Sequence, residues 1–139
     1  MGNTCLVWNL SKQTNDLPIY SINGMFTVKV VDVYDGDTIT IIIYNKGDYE
    51  KHKLRMYGYD SPELHPRKNK ENREREIELA IEAKNELSDL ILDKIVTLEC
   101  IGYDKYGRLL GTIYNNKKNI NKHMIENKYG YEYYGKKKH

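Results

Sequence analysis

Hydrophobic and polar positions follow two different periods along this chain. Residues 25–33 are extended in character and rich in β-branched side chains, which predicts a strand. Residues 38–44 carry Ile and Thr and predict a second. Residues 51–57 alternate apolar with polar and predict a third. Gly36 within residues 34–37 marks a turn, and Gly47 within 45–49 marks a hairpin loop, so the three strands form a meander. Pro62 and Pro66 make residues 58–70 a loop. The period then changes. Ile77, Ala80, Ile81, Lys84, Leu87, Leu90 and Ile91 recur at helical spacing and predict one long helix over residues 72–93, with the aliphatic stem of Lys84 at the edge of its apolar face. Residues 95–103 and 108–114 return to the strand pattern, and residues 119–127 predict a short helix. Residues 1–22 have no clear period and read as an arm, with Trp8, Leu10 and Ile19 pinning it to the body.

Five short strands with a helix between the third and fourth give the element order of an OB-fold, a five-stranded Greek-key barrel in a mainly β chain with helices (α+β). The division expected is an arm over 1–22, a barrel domain over 23–130 and a Tyr- and Lys-rich tail over 131–139. At 139 residues the chain holds one core, not two. Charged residues are 30% and mean hydropathy is −0.74, and no apolar run is long enough to span a bilayer. A net charge of +2 does not by itself announce a nucleic-acid partner.

Basic positions change the picture in one respect. There are 17 Lys and only five Arg, so an Arg in this chain is a departure from its default. Arg55 and Arg108 stand beside the chain's carboxylate-bearing turns, where a planar bidentate fork matters. Four segments carry the chemistry: Asp35-Gly36-Asp37-Thr38, Arg55, Asp60-Ser61-Pro62-Glu63 and Asp104-Lys105-Tyr106-Gly107-Arg108. Each has an ordinary explanation alone: an Asp-Gly turn, a solvent-facing strand Arg, a helix cap with a Pro, a Tyr-Gly turn followed by a surface Arg. The turn accounts for Gly36 and one Asp. It does not account for two aspartates there together with Asp60 and Glu63 after another strand. Carboxylates from two turns at one barrel end supply oxygen ligands for a hard cation. A third carboxylate can activate water, and two guanidinium groups can hold a phosphate. These are the parts that phosphodiester hydrolysis needs.

In these segments the chain resembles the staphylococcal nuclease, or thermonuclease, family, in order and spacing over about residues 25–130. The resemblance implies a Ca²⁺-dependent OB-fold nuclease acting on DNA and RNA, favouring single strands and leaving 3′-phosphates. It implies that Asp37, Asp60 and the carbonyl of Ser61 bind the ion, and that Glu63 is the general base. Arg55 and Arg108 would hold the phosphate, and Asp35, Lys105, Tyr106 and Tyr134 would complete the substrate site. Ser61 replaces the family's Thr, a change without consequence if only the carbonyl binds metal. The family's long C-terminal helix has no counterpart in the sequence, and the N-terminal arm is a candidate substitute. The contrasting reading is a catalytically inactive OB-fold module that binds nucleic acid or protein. Drift after loss of activity would be expected to remove at least one of Asp37, Arg55, Asp60, Glu63 and Arg108, and all five are present.

Two cysteines, Cys5 in the arm and Cys100 in a strand expected to be buried, make neither a disulfide framework nor a metal spacing. The N-terminus lacks the basic and long apolar regions of a secretion signal, so an intracellular or membrane-anchored protein is expected; a monomer is the separate expectation for its oligomeric state. Met1-Gly2-Asn3-Thr4-Cys5 offers Gly2 for myristoylation and Cys5 for a second acyl chain, although Leu6 stands where Ser or Thr is usual. Membrane association through that pair is the second partner expectation, beside DNA and RNA.

Overall fold

The computed structural model describes residues 3–17 and 22–135. Strands β1 (Gly24–Asp35), β2 (Thr38–Asn45) and β3 (Asp48–Met56) form the expected antiparallel meander. The two-residue β4 (Tyr59–Asp60) follows, then helix α2 (Arg73–Ile91), with α1 (Asn3–Ser11) preceding the sheet. Strands β5 (Ile95–Tyr103) and β6 (Leu109–Asn115) are hairpin partners, and β7 (Lys118–Asn119) leads into α3 (Ile120–Glu126). A last short strand, β8 (Tyr131–Glu132), pairs with β4. The main sheet runs β3-β2-β1-β5-β6-β7, and β3 also pairs with β6 in parallel. That second pairing closes a five-stranded mixed barrel, the OB-fold architecture with its helices outside.

Inward residues of the strands make the core. Ile39, Ile41 and Ile43 of β2 meet Leu54 and Met56 of β3, and Val28 and Val30 of β1 meet Val96 and Leu98 of β5, all buried. In β1 the buried positions step from Val30 to Val33, where regular alternation would bury residue 32. A bulge between Val30 and Asp32 accounts for the slip, and a second lies between Val33 and Asp35. The barrel closes at Gly111. A Cβ there would lie 2.7 Å from Leu98 Cδ1, so only glycine lets β6 pass so close to β5.

Helix α2 differs from the sequence pattern in its phase. Its buried side chains are Ala80, Ala83, Leu87 and Ile91, whereas Ile81 is exposed and Lys84 half-buried. The helix turns a small-residue edge to the barrel because the turn after β1 presses against Ala83, leaving no room there for an isoleucine. Cys100 is buried as expected, its thiol donating to the Ile22 carbonyl.

The arm also differs. Residues 3–11 form a helix instead of an aperiodic segment, and Trp8 and Leu10 are exposed instead of pinned to the barrel. The Trp8 ring lies beneath the Lys12 ammonium, 3.5 Å from its centroid, a contact local to the segment. Ile19 and Gly2 lie outside the described residues; Cys5 is exposed on α1. No helix among the described residues is long and apolar enough to cross a membrane.

Candidate active site

The Asp-Gly-Asp turn joins β1 to β2. The Asp37 N–H donates to Asp35 Oδ1 at 3.1 Å, which sets the turn. A Cβ on Gly36 would lie 2.7 Å from the Ser61 Cβ and 2.8 Å from the Ala83 Cβ, so the turn is clamped between the loop after β4 and α2. Asp37 is buried. Its Oδ1 accepts from the Thr38 hydroxyl at 3.0 Å and its Oδ2 from the Ser61 N–H at 2.8 Å. Burial, and then the neighbouring charge of Asp37, raise the Asp35 carboxyl to about 6.

Arg55 stands on β3, paired with Thr38 of β2 on one side and Leu110 of β6 on the other. Its side chain is only 14% exposed, which removes the solvent-facing explanation. Nη1 donates to the carbonyls of Met56 and Tyr59, at 2.9 and 2.8 Å. Nη2 donates to Asp60 Oδ1 and lies 3.5 Å from Asp37 Oδ2. One guanidinium therefore gathers the carboxylates of a turn and of the short strand β4. Tyr59, fully buried beside it, donates its hydroxyl to the Gly36 carbonyl at 2.7 Å.

A cleft of about 690 Å³ opens in front of Arg55. Arg108 reaches it from the start of β6, with Nε donating to Asp104 Oδ2 at 2.6 Å. Asp104 Oδ1 accepts the N–H groups of Tyr106 and Arg108, both at 2.9 Å, so one carboxylate shapes the whole β5–β6 loop. Burial pushes the Asp104 carboxyl up, but the hydrogen bonds from the Arg108 backbone and guanidinium and from the Tyr106 N–H outweigh it and hold the group low. Tyr106 projects from this loop with its ring flanked by Lys105 and Arg108, a face that a base can stack on. Glu63 is exposed at the cleft, its N–H donating to Glu76 Oε2 of α2 at 2.8 Å. Tyr134 packs on Tyr57 with ring centroids 5.4 Å apart and lies over Gly58.

Of the residues singled out from sequence, Arg55, Asp60, Glu63, Lys105, Tyr106, Arg108 and Tyr134 line this one cleft. Asp35, Asp37 and Ser61 lie behind it, with Asp37 touching Arg55 and Ser61. Tyr57, Asp104 and Tyr133 also line it and were given no role from sequence. Asp104 was legible as the first residue of the Asp-Lys-Tyr-Gly-Arg run. The two tyrosines carried no signal in a chain with 13 of them.

Three or more Asp, Glu, His or Cys side chains arranged to hold an ion do not occur among the described residues. Asp37 and Asp60 bring two carboxylates to one point, and the Ser61 hydroxyl beside them is buried without a hydrogen-bond partner. The donors are all oxygen, which fits a hard cation whose remaining ligands are backbone carbonyls and water.

Residues 53–139 match the family described as staphylococcal nuclease homologue. Asp35 and Asp37 precede that stretch and join the site through the fold. A Haemophilus influenzae protein named as an uncharacterized endonuclease is 34% identical over 100 residues, covering 72% of this chain and 48% of that protein. An uncharacterized protein of Methanocaldococcus jannaschii is 33% identical over 122 residues, covering 74% of this chain and 56% of that one. The chain thus spans about half the length of these relatives. With the family match covering well over half of its length and a closed barrel carrying the expected segments, the chain belongs to the staphylococcal nuclease homologue family.

Proposed function

We propose that this chain is a calcium-dependent nuclease that hydrolyses phosphodiester bonds of DNA and RNA, favouring single strands and leaving 3′-phosphates. The observation that carries this reading is the engagement of Arg55. Its guanidinium contacts both Asp37 and Asp60 at the wall of a cleft that also holds Glu63 and Arg108.

Asp37, Asp60 and the Ser61 carbonyl are the groups that would hold Ca²⁺, which when bound supplies positive charge for the phosphoryl oxygens. Arg55 Nη2 contacts the same two carboxylates and is the donor that would serve a phosphoryl oxygen, while Nη1 stays anchored to the carbonyls of Met56 and Tyr59. Arg108, oriented by Asp104, donates to the same phosphate as charge develops on it. Glu63 accepts a proton from the water whose oxygen attacks phosphorus. The bond from phosphorus to the 5′ oxygen breaks, and that oxygen leaves as a hydroxyl by taking a proton from solvent, to which Glu63 then returns the one it accepted. Tyr106 and the Tyr57–Tyr134 pair provide aromatic surface to bases that are not paired in a duplex.

Digestion of single-stranded DNA and RNA oligonucleotides, with Ca²⁺ and with chelator, tests this. Cleavage is expected only with Ca²⁺, with 3′-phosphate ends. Full activity in chelator overturns the calcium assignment, and no cleavage under any divalent cation overturns the nuclease. Glu63→Gln keeps shape and hydrogen bonding but not basicity. Turnover should fall by roughly 10²- to 10⁴-fold, the scale of general base catalysis, while Ca²⁺ affinity is preserved. A native single-turnover rate in that variant removes Glu63 from the mechanism.

A further inference from the structure

Tyr59 touches both halves of the candidate cation site, one through its side chain and the other through its backbone. Its ring is fully buried, and its hydroxyl donates to the Gly36 carbonyl at 2.7 Å, across 23 residues of sequence. Gly36 sits between Asp35 and Asp37, so this bond fixes the middle peptide of the turn. The backbone of Tyr59 faces the other way. Its carbonyl accepts from Arg55 Nη1 at 2.8 Å, and the next residue, Asp60, accepts from Arg55 Nη2. One residue further on, the Ser61 N–H donates to Asp37 Oδ2. Residues 59–61 therefore hold the turn at two points, the Gly36 carbonyl from beneath and the Asp37 carboxylate from the side.

Filling the core does not need the hydroxyl. A phenylalanine would bury nearly the same apolar surface without placing a polar oxygen in the interior. The hydroxyl is satisfied only because the Gly36 carbonyl meets it there, and that carbonyl lies between two site carboxylates. The peptide of residue 36 has no side chain to anchor it, and the clamp of Ser61 and Ala83 restrains it only from the outside.

We propose that Tyr59 is a positioning residue of the cation site, its phenol holding the Gly36 peptide so that Asp37 is aimed at the same point as Asp60. This rests on the calcium reading above. The role is that of an outer partner of a ligand, whose loss typically costs 10- to 100-fold in metal affinity.

The test is Ca²⁺ titration calorimetry on Tyr59→Phe, with its fold verified by circular dichroism, alongside the wild type. Ca²⁺ affinity is expected to fall about 10- to 100-fold. At saturating Ca²⁺ the KM for a single-stranded oligonucleotide should be unchanged. Tyr59→p-aminophenylalanine, which restores a donor at the same place, should return affinity to within about threefold of wild type. A folded Tyr59→Phe protein with wild-type Ca²⁺ affinity overturns the proposal, as does failure of the amino variant to recover. A Tyr59→Phe chain that does not fold overturns it too, because the hydroxyl would then be a requirement of the core. Wild-type protein that binds no Ca²⁺ brings down the calcium reading itself, an outcome distinct from the others.

Discussion

Arg55 and Arg108 reach the cleft in different states of engagement. Arg55 is nearly buried, with donors committed to two carbonyls and two carboxylates, whereas Arg108 is held mainly by Asp104. Lysine at either position keeps the charge but loses the planar fork. Arg55→Lys and Arg108→Lys should each lower turnover by on the order of 10²-fold, the scale of losing one preorganised donor. Ca²⁺ affinity should not weaken in Arg55→Lys, since the guanidinium shares the oxygens that a cation needs. Steady-state kinetics with calorimetry checks both, and near-native rates in the two variants would remove these residues from the mechanism. Asp104 acts through its hydrogen bonds and carries a pH signature. Because its folded-state pKa lies below the unfolded value, its contribution to stability is present above the ordinary carboxylate range and is lost as pH falls through the lowered folded value. Asp104→Asn should therefore be less stable than wild type at neutral pH, and the difference should shrink at pH below about 4. Denaturant titrations across that range measure it. A difference that does not depend on pH would mean that the loop is held by shape and not by the carboxylate's charge.

At the scale of elements, α3 reaches the cleft through one buried side chain. Asn121 Nδ2 donates to the carbonyls of Tyr57 and Gly111, at 2.8 and 3.1 Å, and Oδ1 accepts the Ile113 N–H at 3.0 Å. These bonds tie the helix to the end of β3 and to the middle of β6, next to the parallel pairing that closes the barrel. His123 adds a contact to Glu86 of α2 at 2.6 Å. Asn121→Ala takes the side-chain partner from the Tyr57 carbonyl and the Ile113 N–H, each loss costing about 1–3 kcal/mol, while the Gly111 carbonyl keeps the Tyr57 N–H. A stability loss of about 3 kcal/mol or more is expected by urea denaturation, with Tyr57 and the cleft wall loosened in hydrogen exchange. A loss near zero would mean that water replaces the amide. The short β4–β8 pairing does comparable work on the other wall, where the Tyr133 N–H donates to the Gly58 carbonyl and brings Tyr134 over the cleft. Residue 131 onward thus begins as sheet, and the tail expected from composition contributes its first residues to the site.

For the whole molecule, α1 adds no buried side chain to the barrel core among the described residues. Every described side chain of α1 is exposed, including Leu6, Val7, Trp8 and Leu10, and a helix of nine residues is marginal in water by itself. Deleting residues 1–17 should change the unfolding free energy of the barrel by less than about 0.5 kcal/mol, the range of surface changes. Thermal denaturation of the two chains checks this, and a larger drop would show that the arm packs on the body. The site, in contrast, belongs to the closed barrel. Asp37, Arg55 and Asp60 come from a turn, a central strand and a short strand that meet only when β3 pairs with both β2 and β6.

The order of the five barrel strands with α2 and α3, and the four chemistry-bearing segments, were determined by the sequence alone, because each rests on neighbours a few residues apart; α1 and the two-residue strands β4, β7 and β8 were not. Ile and Thr content marked β2, alternation marked β3, and the helical period marked α2, whose observed span of Arg73–Ile91 lies within the expected one. Tertiary structure decided what local period cannot reach. It buried Ala83 in place of Ile81, since the facing turn allows only a small side chain. It set two bulges in β1 that shift the phase of the strand on its way to Asp35. It covered Arg55, which stands on the face of β3 opposite Leu54 and Met56, with carboxylates that come from other elements. It also placed the Tyr59 hydroxyl under Gly36, a contact between residues 23 apart that exists only once the barrel has closed. Periodicity assigns a side chain to a face; which groups from distant segments share that face is set by barrel closure, where packing and hydrogen bonding must be satisfied together.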